Sequence, residues 1–301
     1  MIKLQKITLK ELNIKKEKAV ALLNPCVVCP RECRVDRIKT QEGYCKTKNK
    51  PKIHSAQPHF GEESCLVGIK GSGTIFFSSC NLSCVYCQNW KISQMKMGEE
   101  MEISQLASLM LYLEAKGCSN INLVSPSIWV PQIIESLILA KKKGLNIPLV
   151  FNTGGYDRLE TLKLLDGIID IYLPDIKYST NKMSQNYSNV SDYWVRVQRA
   201  VWEMYKQVGD LKINKEGIAE SGLLVRHLIL PNRLAGTAKV MKFISSVSKN
   251  SYINIMDQYQ PCFKSRKFPE LNRKITDQEF KQAVGIAKNE GLYRFEHLQR
   301  K

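Results

Sequence analysis

Apolar runs of four to eight residues recur along the chain, at residues 74–77, 120–124, 148–152, 168–173, 223–230 and 252–256. Their β-branched and aromatic content is that of buried strands. Most are separated by stretches with helical spacing, for example Ile103, Leu106, Leu109, Met110 and Leu113. Residues 130–143, 158–165, 192–208, 237–248 and 276–288 carry the same 3.6-residue pattern. The last opens on Thr276-x-x-Glu279, and Thr8-x-x-Glu11 precedes an earlier amphipathic stretch that ends before Pro25. Both are capping boxes, in which hydroxyl and carboxylate satisfy the first free backbone amides of a helix.

Repeated strand–helix units predict an α/β fold with a parallel sheet and right-handed crossovers. Six units are too few for a closed eight-stranded barrel, so the expected architecture is an open, partial (β/α)6 barrel. Residues 46–73 are polar and turn-rich and read as a covering segment before the first strand. The chain therefore divides into an N-terminal basic, cysteine-rich extension, residues 1–60, and a barrel, residues 61–301. In such folds functional groups stand just beyond the C-terminal ends of strands.

The hydrophobic share of 44% is ordinary for a globular chain. No apolar run is long enough to span a bilayer and the start lacks a signal-peptide pattern. The expectation is a cytoplasmic protein without membrane contact. Ten cysteines in such a chain point to metal ligation rather than disulfides. The net charge is +17, and the first 54 residues hold 14 Lys/Arg against 5 Asp/Glu. That concentration could attract a polyanion. The lysines are dispersed and no RNA-binding module is visible, which argues against nucleic acid as a partner.

The chemistry concentrates where the first strand ends. Cys80, Cys84 and Cys87 form a C-x3-C-x2-C triplet directly after the run at 74–77. Soft thiolates select zinc, copper(I) or an iron–sulfur cluster. No fourth cysteine follows within two dozen residues. Three thiolates on a cubic cluster leave one iron open to a non-protein ligand, whereas a zinc knuckle would need a fourth ligand from elsewhere. An upstream set, Cys26, Cys29, Cys33 and Cys45, has the C-x2-C-x3-C…C spacing of a four-thiolate site for zinc or a second cluster. The alternative there is a packed loop of reduced thiols.

The triplet, with Tyr86 before its last cysteine, resembles the signature of radical SAM enzymes. The wider stretch from Gly73 to Asn89 is similar to the branch related to pyruvate formate-lyase activating enzyme, and the likeness extends through Tyr259-Gln-Pro261 to Asn272-Arg273. The resemblance implies a 4Fe–4S cluster on Cys80, Cys84 and Cys87, with S-adenosylmethionine (SAM) chelating the fourth iron. Reductive cleavage of SAM would give a 5′-deoxyadenosyl radical that abstracts hydrogen from an unidentified substrate, such as a protein glycine. It also implies an electron donor of the flavodoxin or ferredoxin type. SAM-binding candidates are Tyr86, Ser125, Ser127, Asp175, Lys177 and Arg226; Gln258 and Tyr259 are substrate-side candidates. The Gly-Gly-Glu stretch that holds the methionine amino group in many relatives is replaced here by Ser125-Pro-Ser127. In the strand segment Val225-Arg-His-Leu228, alternation sends Arg226 and His227 to opposite faces. Glycines in Asn152-Thr-Gly-Gly-Tyr156 could let backbone approach a ligand. Cys262 could relay a radical or act as a further ligand, or be inert. The reading of a different class is a nucleic-acid-binding iron–sulfur or zinc protein, drawn from the basic N-terminal segment.

Overall fold

A computed structural model describes residues 2–39 and 41–296. The chain opens with α1 (Lys3–Lys6) and α2 (Leu9–Ala21), followed by β1 (Lys52–His59), α3 (Ser64–Val67), β2 (Ser72–Phe77) and α4 (Trp90–Ser93). Next come β3 (Glu99–Glu100), α5 (Ile103–Ala115), β4 (Ile121–Val124), α6 (Val130–Lys142), β5 (Leu149–Thr153), α7 (Leu159–Leu164) and β6 (Ile171–Pro174). The last part runs α8 (Asn181–Ser188), α9 (Tyr193–Val208), β7 (Lys212–Ile213), β8 (Ala219–Leu228), α10 (Thr237–Val247), β9 (Tyr252–Met256), α11 (Asp277–Asn289) and β10 (Arg294–Phe295). Every strand and helix expected from the apolar pattern is present.

The strands form one sheet in the order β10-β9-β8-β6-β5-β4-β2-β1-β3, with β7 paired to β8. From β2 to β10 the path is parallel. The two ends of the path do not pair, so the fold is an open partial barrel. β5 and β6 are buried at every position, as expected of parallel strands covered on both faces. Helices α5 and α6 pack side by side outside the sheet, and α2 lies across α6 and α7. The boxes predicted for α2 and α11 are both formed: the Thr8 and Thr276 hydroxyls accept from the Glu11 and Glu279 amides at 3.2 and 3.1 Å.

One expectation needs correction, and one strand had none. The segment at 46–73 is not merely a turn-rich cover, because β1 runs antiparallel to β2, with His59 opposite Ser72. Its sequence, Lys-Ile-His-Ser-Ala-Gln-Pro-His, lacks a clean apolar face, since backbone pairing rather than burial holds it. The charged tail after Gly291 supplies a further parallel strand, β10, through Arg294 and Phe295.

The cysteine-rich segment is pinned to the barrel by Arg37, which is 1% exposed. Its guanidinium donates to the carbonyls of Ile128 (2.9 Å) and Lys48 (2.8 Å) and lies over the Trp129 ring. Trp129 in turn donates to the Ser78 carbonyl at the end of β2.

Gly155 shows how tightly the loop after β5 is packed. Its φ is +77°, and an added Cβ would sit 2.4 Å from the Asp175 carbonyl and 2.8 Å from Val197. Close packing of protein on protein, rather than approach to a ligand, accounts for this glycine. Gly144, at φ +93°, has nothing within 4 Å of such a Cβ. Gly144→Ala should therefore cost only the left-handed strain, about 1 kcal/mol. Gly155→Ala should cost ~2–4 kcal/mol, adding the clash with backbone. Urea midpoints of the two variants measured side by side check the difference; equal losses would mean that the contact at Gly155 is relieved without cost.

Candidate metal centre

β2 delivers the chain to Ser78 and Ser79, where a φ of +70° at Ser79 turns it sharply into the loop of Cys80, Cys84 and Cys87. Each sulfur meets its own polar partner. Leu82 N–H donates to Cys80 Sγ at 3.4 Å, and Ser188 Oγ donates to Cys84 Sγ at 3.0 Å. Cys87 Sγ lies 3.2 Å from Ser93 Oγ. The loop backbone is gripped from two sides. Ser83 and Val85 donate to the carbonyls of Ser188 and Tyr187 at the end of α8, while Lys264 donates to Val85. The Cys262 thiol donates to the Tyr86 carbonyl at 3.3 Å. Tyr86 is buried, its ring edge-on to Tyr178 and Tyr259.

Burial pushes the Cys80 thiol up to about 12 and raises Cys84 and Cys87 as well. Three clustered thiols so shielded would become thiolates only opposite a metal's positive charge. Among the described residues no group of three or more His, Cys, Asp or Glu is spaced to hold a single metal ion. A soft donor set of three on one loop fits a cluster, which can leave one iron to a non-protein ligand, better than zinc, which would need a fourth ligand from elsewhere.

Cys26, Cys29, Cys33 and Cys45 line a single enclosed cleft of about 10 Å³, together with Arg31 and Asn81. A Cβ on Gly43 would fall 2.8 Å from Cys33 Cβ and 2.9 Å from its sulfur, so the Gly-x-Cys pair lets the loop close over Cys33. Tyr44 N–H donates to Cys33 Sγ at 3.2 Å, and Cys45 Sγ lies 3.1 Å from Thr47 Oγ1. The donor chemistry fits a soft metal. Arg31 connects the two cysteine groups: its Nε donates to the Asn81 carbonyl (2.9 Å) and its guanidinium lies 3.7 Å above the Tyr44 ring.

Beyond the strand ends lies a chain of charges. Lys177 Nζ donates to Asp175 Oδ2 at 2.6 Å, and Arg226 Nε donates to Asp175 Oδ1 at 2.7 Å. Arg226 continues to Asn152 Oδ1 (2.5 Å) and approaches Glu62 (3.5 Å). Burial by itself would raise the Asp175 carboxyl, but the Arg226 and Lys177 charges outweigh it and hold it below the usual range. Lys177, largely but not fully withdrawn from water, is held above its ordinary value because Asp175 and then Cys84 outweigh desolvation. The Tyr193 hydroxyl fixes this corner by hydrogen bonds to the Gly154 and Asp175 carbonyls, both 2.9 Å.

Ser125 and Ser127 are placed differently. Ser125 has a φ of +59° and its amide donates to the Asn152 carbonyl. Ser127 Oγ is 3.0 Å from Thr153 Oγ1, which donates to the buried Asp157 at 2.7 Å. Gln258 and Tyr259 line a cavity of about 320 Å³ with Arg226, Asn254 and Glu62. The Tyr259 hydroxyl is already committed to the Leu271 carbonyl (2.7 Å). As the alternation requires, His227 faces away from Arg226, with Nδ1 2.7 Å from the Ile176 carbonyl and Nε2 3.0 Å from Thr237 Oγ1. Sequence reasoning missed Ser188, Asn152, Tyr193, Glu62 and Glu63. Only Asn152, at a strand's C-terminal end, carried a positional signal.

A model of the Radical SAM superfamily matches residues 74–210. The uncharacterized protein MJ0674 of Methanocaldococcus jannaschii is 32% identical over 292 residues, 93% of this chain and 79% of that protein. The uncharacterized protein MJ0808 of the same organism is 24% identical over 228 residues, covering 69% of this chain and 61% of that one. Among solved structures, the FeFe-hydrogenase maturase HydG from Carboxydothermus hydrogenoformans aligns with a TM-score of 0.50 at 14% identity. That alignment covers 71% of this chain and 49% of HydG, and it is a likeness of fold.

Two buried groups at the site respond to acid in opposite senses. Burial pushes His227 from 6.5 down to about 4, and pushes Asp157 from 3.8 up to about 6. Between pH 6.5 and 4 the unfolded chain binds a proton at His227 that the folded one refuses, so this contribution to stability is lost as pH falls. Between pH 3.8 and 6 the folded chain keeps a proton at Asp157 that the unfolded one releases, so that contribution is lost as pH rises. Each is worth up to about 3 kcal/mol, and over the shared window they offset one another. Urea denaturation across pH 4.5–7 should show the stability gap between wild type and His227→Gln narrowing on acidification. The gap to Asp157→Asn should widen. Parallel pH dependence in all three proteins would show that neither group is held as described.

Proposed function

Because the chain belongs to the radical SAM superfamily, whose enzymes use a 4Fe–4S cluster and SAM, we propose that Cys80, Cys84 and Cys87 hold that cluster. The observation that carries this assignment is the loop itself. Three sulfurs stand directly after β2, each with its own hydrogen-bond partner, with the Lys177 charge acting on all three. Bound there, the cluster and SAM supply a carbon-centred radical able to take hydrogen from an unreactive C–H bond.

The chain's own residues orient and shield. Lys177 would meet the SAM carboxylate, and Asp175 a ribose hydroxyl or the ammonium group. Arg226 stands between them and the cavity lined by Gln258 and Tyr259. Ser125 and the buried Ser127 shape the side where the methionine amino group would lie, Ser127 through its contact with Thr153. Tyr86 backs the loop through its aromatic contacts. Hydrogen bonds to cluster sulfurs set reduction potential, which gives Ser188, Ser93 and the Leu82 amide a tuning role.

At a finer level, the motifs at 73–89 and 259–273 support kinship with activating enzymes, and hence hydrogen abstraction from a substrate such as a protein glycine. A flavodoxin- or ferredoxin-type protein would be the electron donor. The segment that precedes β1 serves as an accessory unit, with Cys26, Cys29, Cys33 and Cys45 holding a second cluster or zinc; the sequence-based boundary at residue 60 falls too late, because β1 itself belongs to the sheet.

Anaerobically reconstituted protein reduced with dithionite should convert SAM to 5′-deoxyadenosine, and Cys84→Ala should reduce this to background. Absence of product from wild type with a full cluster would refute the assignment. Ser188→Ala should keep the cluster but shift its reduction potential to a more negative value in a spectroelectrochemical titration. Iron counting separates the options at the N-terminal set: a variant lacking Cys26, Cys29, Cys33 and Cys45 should fall from about eight irons to about four, or keep about four and lose one zinc.

A further inference from the structure

The cavity beside Arg226 has a character at odds with the rest of the chain. The protein carries a net charge of +17, yet among the described residues this space is lined by the adjacent carboxylates Glu62 and Glu63, with Asp257, Glu296, Arg226 and Lys274 also on its walls. Arg226 is spent on Asp175 at 2.7 Å and reaches Glu62 only at 3.5 Å. Glu296 is engaged by the Ser64 amide and the Tyr252 hydroxyl. Glu63 is different. It is 4% exposed, one carboxylate oxygen accepts from Asn254 at 2.9 Å, and the other has no hydrogen-bond partner.

A buried carboxylate oxygen without a donor is costly, and more so beside a second carboxylate. Burial pushes the Glu62 carboxyl upward, with Glu63 adding to the shift against the pull of Arg226. A ligand that brings N–H donors together with positive charge would relieve both burdens at once. The cavity of about 320 Å³ suits one extended side chain or a small metabolite.

We propose that this cavity is the substrate site and that it selects an organic cation, seating an ammonium group between Glu62 and Glu63. The substrate-site part rests on the radical SAM reading above, since it places the cation across Arg226 from the cluster loop. The cation preference stands on the cavity alone.

Isothermal titration of the cluster-loaded wild type, with S-adenosylhomocysteine present, provides the test. Two cationic probes are used: cadaverine for a free diamine, and Nα-acetyl-lysine methylamide for a lysine side chain within a peptide. Nα-acetyl-norleucine methylamide is the neutral isostere. At least one cation should bind at least about ten times more tightly than the isostere, and Glu63→Gln should remove most of that preference. Glu62→Gln, read the same way, serves if the first variant folds poorly; the wild-type comparison needs no variant. Equal binding of charged and neutral probes, no binding of any, or cation binding that appears only when S-adenosylhomocysteine is left out would overturn the inference. Cation preference in a protein that never cleaves SAM would sink the radical reading and leave the cation site standing. SAM cleavage without cation preference would do the reverse.

Discussion

A carboxylate largely withdrawn from water stays charged most readily where cations face it, and Asp175 is held between two. Lys177 lies on one side at 2.6 Å and Arg226 on the other at 2.7 Å. Such a buried arrangement is seldom more stable than an apolar one of the same volume, because desolvation offsets most of the Coulombic gain. Its consequence is positional. Lys177 directs its charge toward Cys84, Cys80 and Cys87, while Arg226 reaches Asn152 and Glu62. One carboxylate thus fixes where the thiol loop ends and where the acidic cavity begins. It also ties the end of β6 to β8, where Asp175 and Arg226 form an isolated parallel bridge.

The thiol loop depends on this corner but is not built by it. A loop of three cysteines has little apolar surface of its own and must borrow order from its neighbours. Here α8 supplies two backbone carbonyls and the Ser188 hydroxyl, and the stretch after β9 supplies Lys264 and Cys262. Arg31 adds a third strut from the N-terminal segment through Asn81, whose side chain also donates to the Tyr156 carbonyl at 2.6 Å. The two cysteine groups are therefore mechanically joined, so occupancy of one bears on the order of the other.

How much of this could be read from the sequence follows from what each part uses to hold itself in place. The six parallel strands and their helices are held by apolar burial, which leaves a periodic trace, and the cysteine triplet carries its own spacing. β1 was not legible, because it is held by backbone pairing and its side chains alternate weakly. Nor was α8, a polar helix whose Ser188 reaches Cys84 across 104 positions of chain. Glu62 and Glu63 lie in a segment legible only as polar and turn-rich; folding buries Glu63 and leaves the Glu62 side chain 9% exposed. The charged pair at Asp175 and Lys177 was visible because it directly follows an apolar run, whereas the choice of Arg226 as its partner needed the sheet order.

The cavity follows from the barrel being open. A closed sheet would satisfy its edges with backbone ladders, but here the gap between β1 and the β9–β10 edge is crossed by side chains instead. Ser64 N–H donates to Glu296 just past β10, and Glu63, four residues beyond the end of β1, accepts from Asn254 in β9. Carboxylates suit such a crossing because they accept from several donors at once without demanding register. They also leave acceptor capacity unspent, which the orphan oxygen of Glu63 displays. A gap sealed in this way is polar, negatively charged and wide enough to admit a small group, all for the same structural reason. The opening that the fold cannot close with strands is thus the place where a positively charged guest gains most by entering.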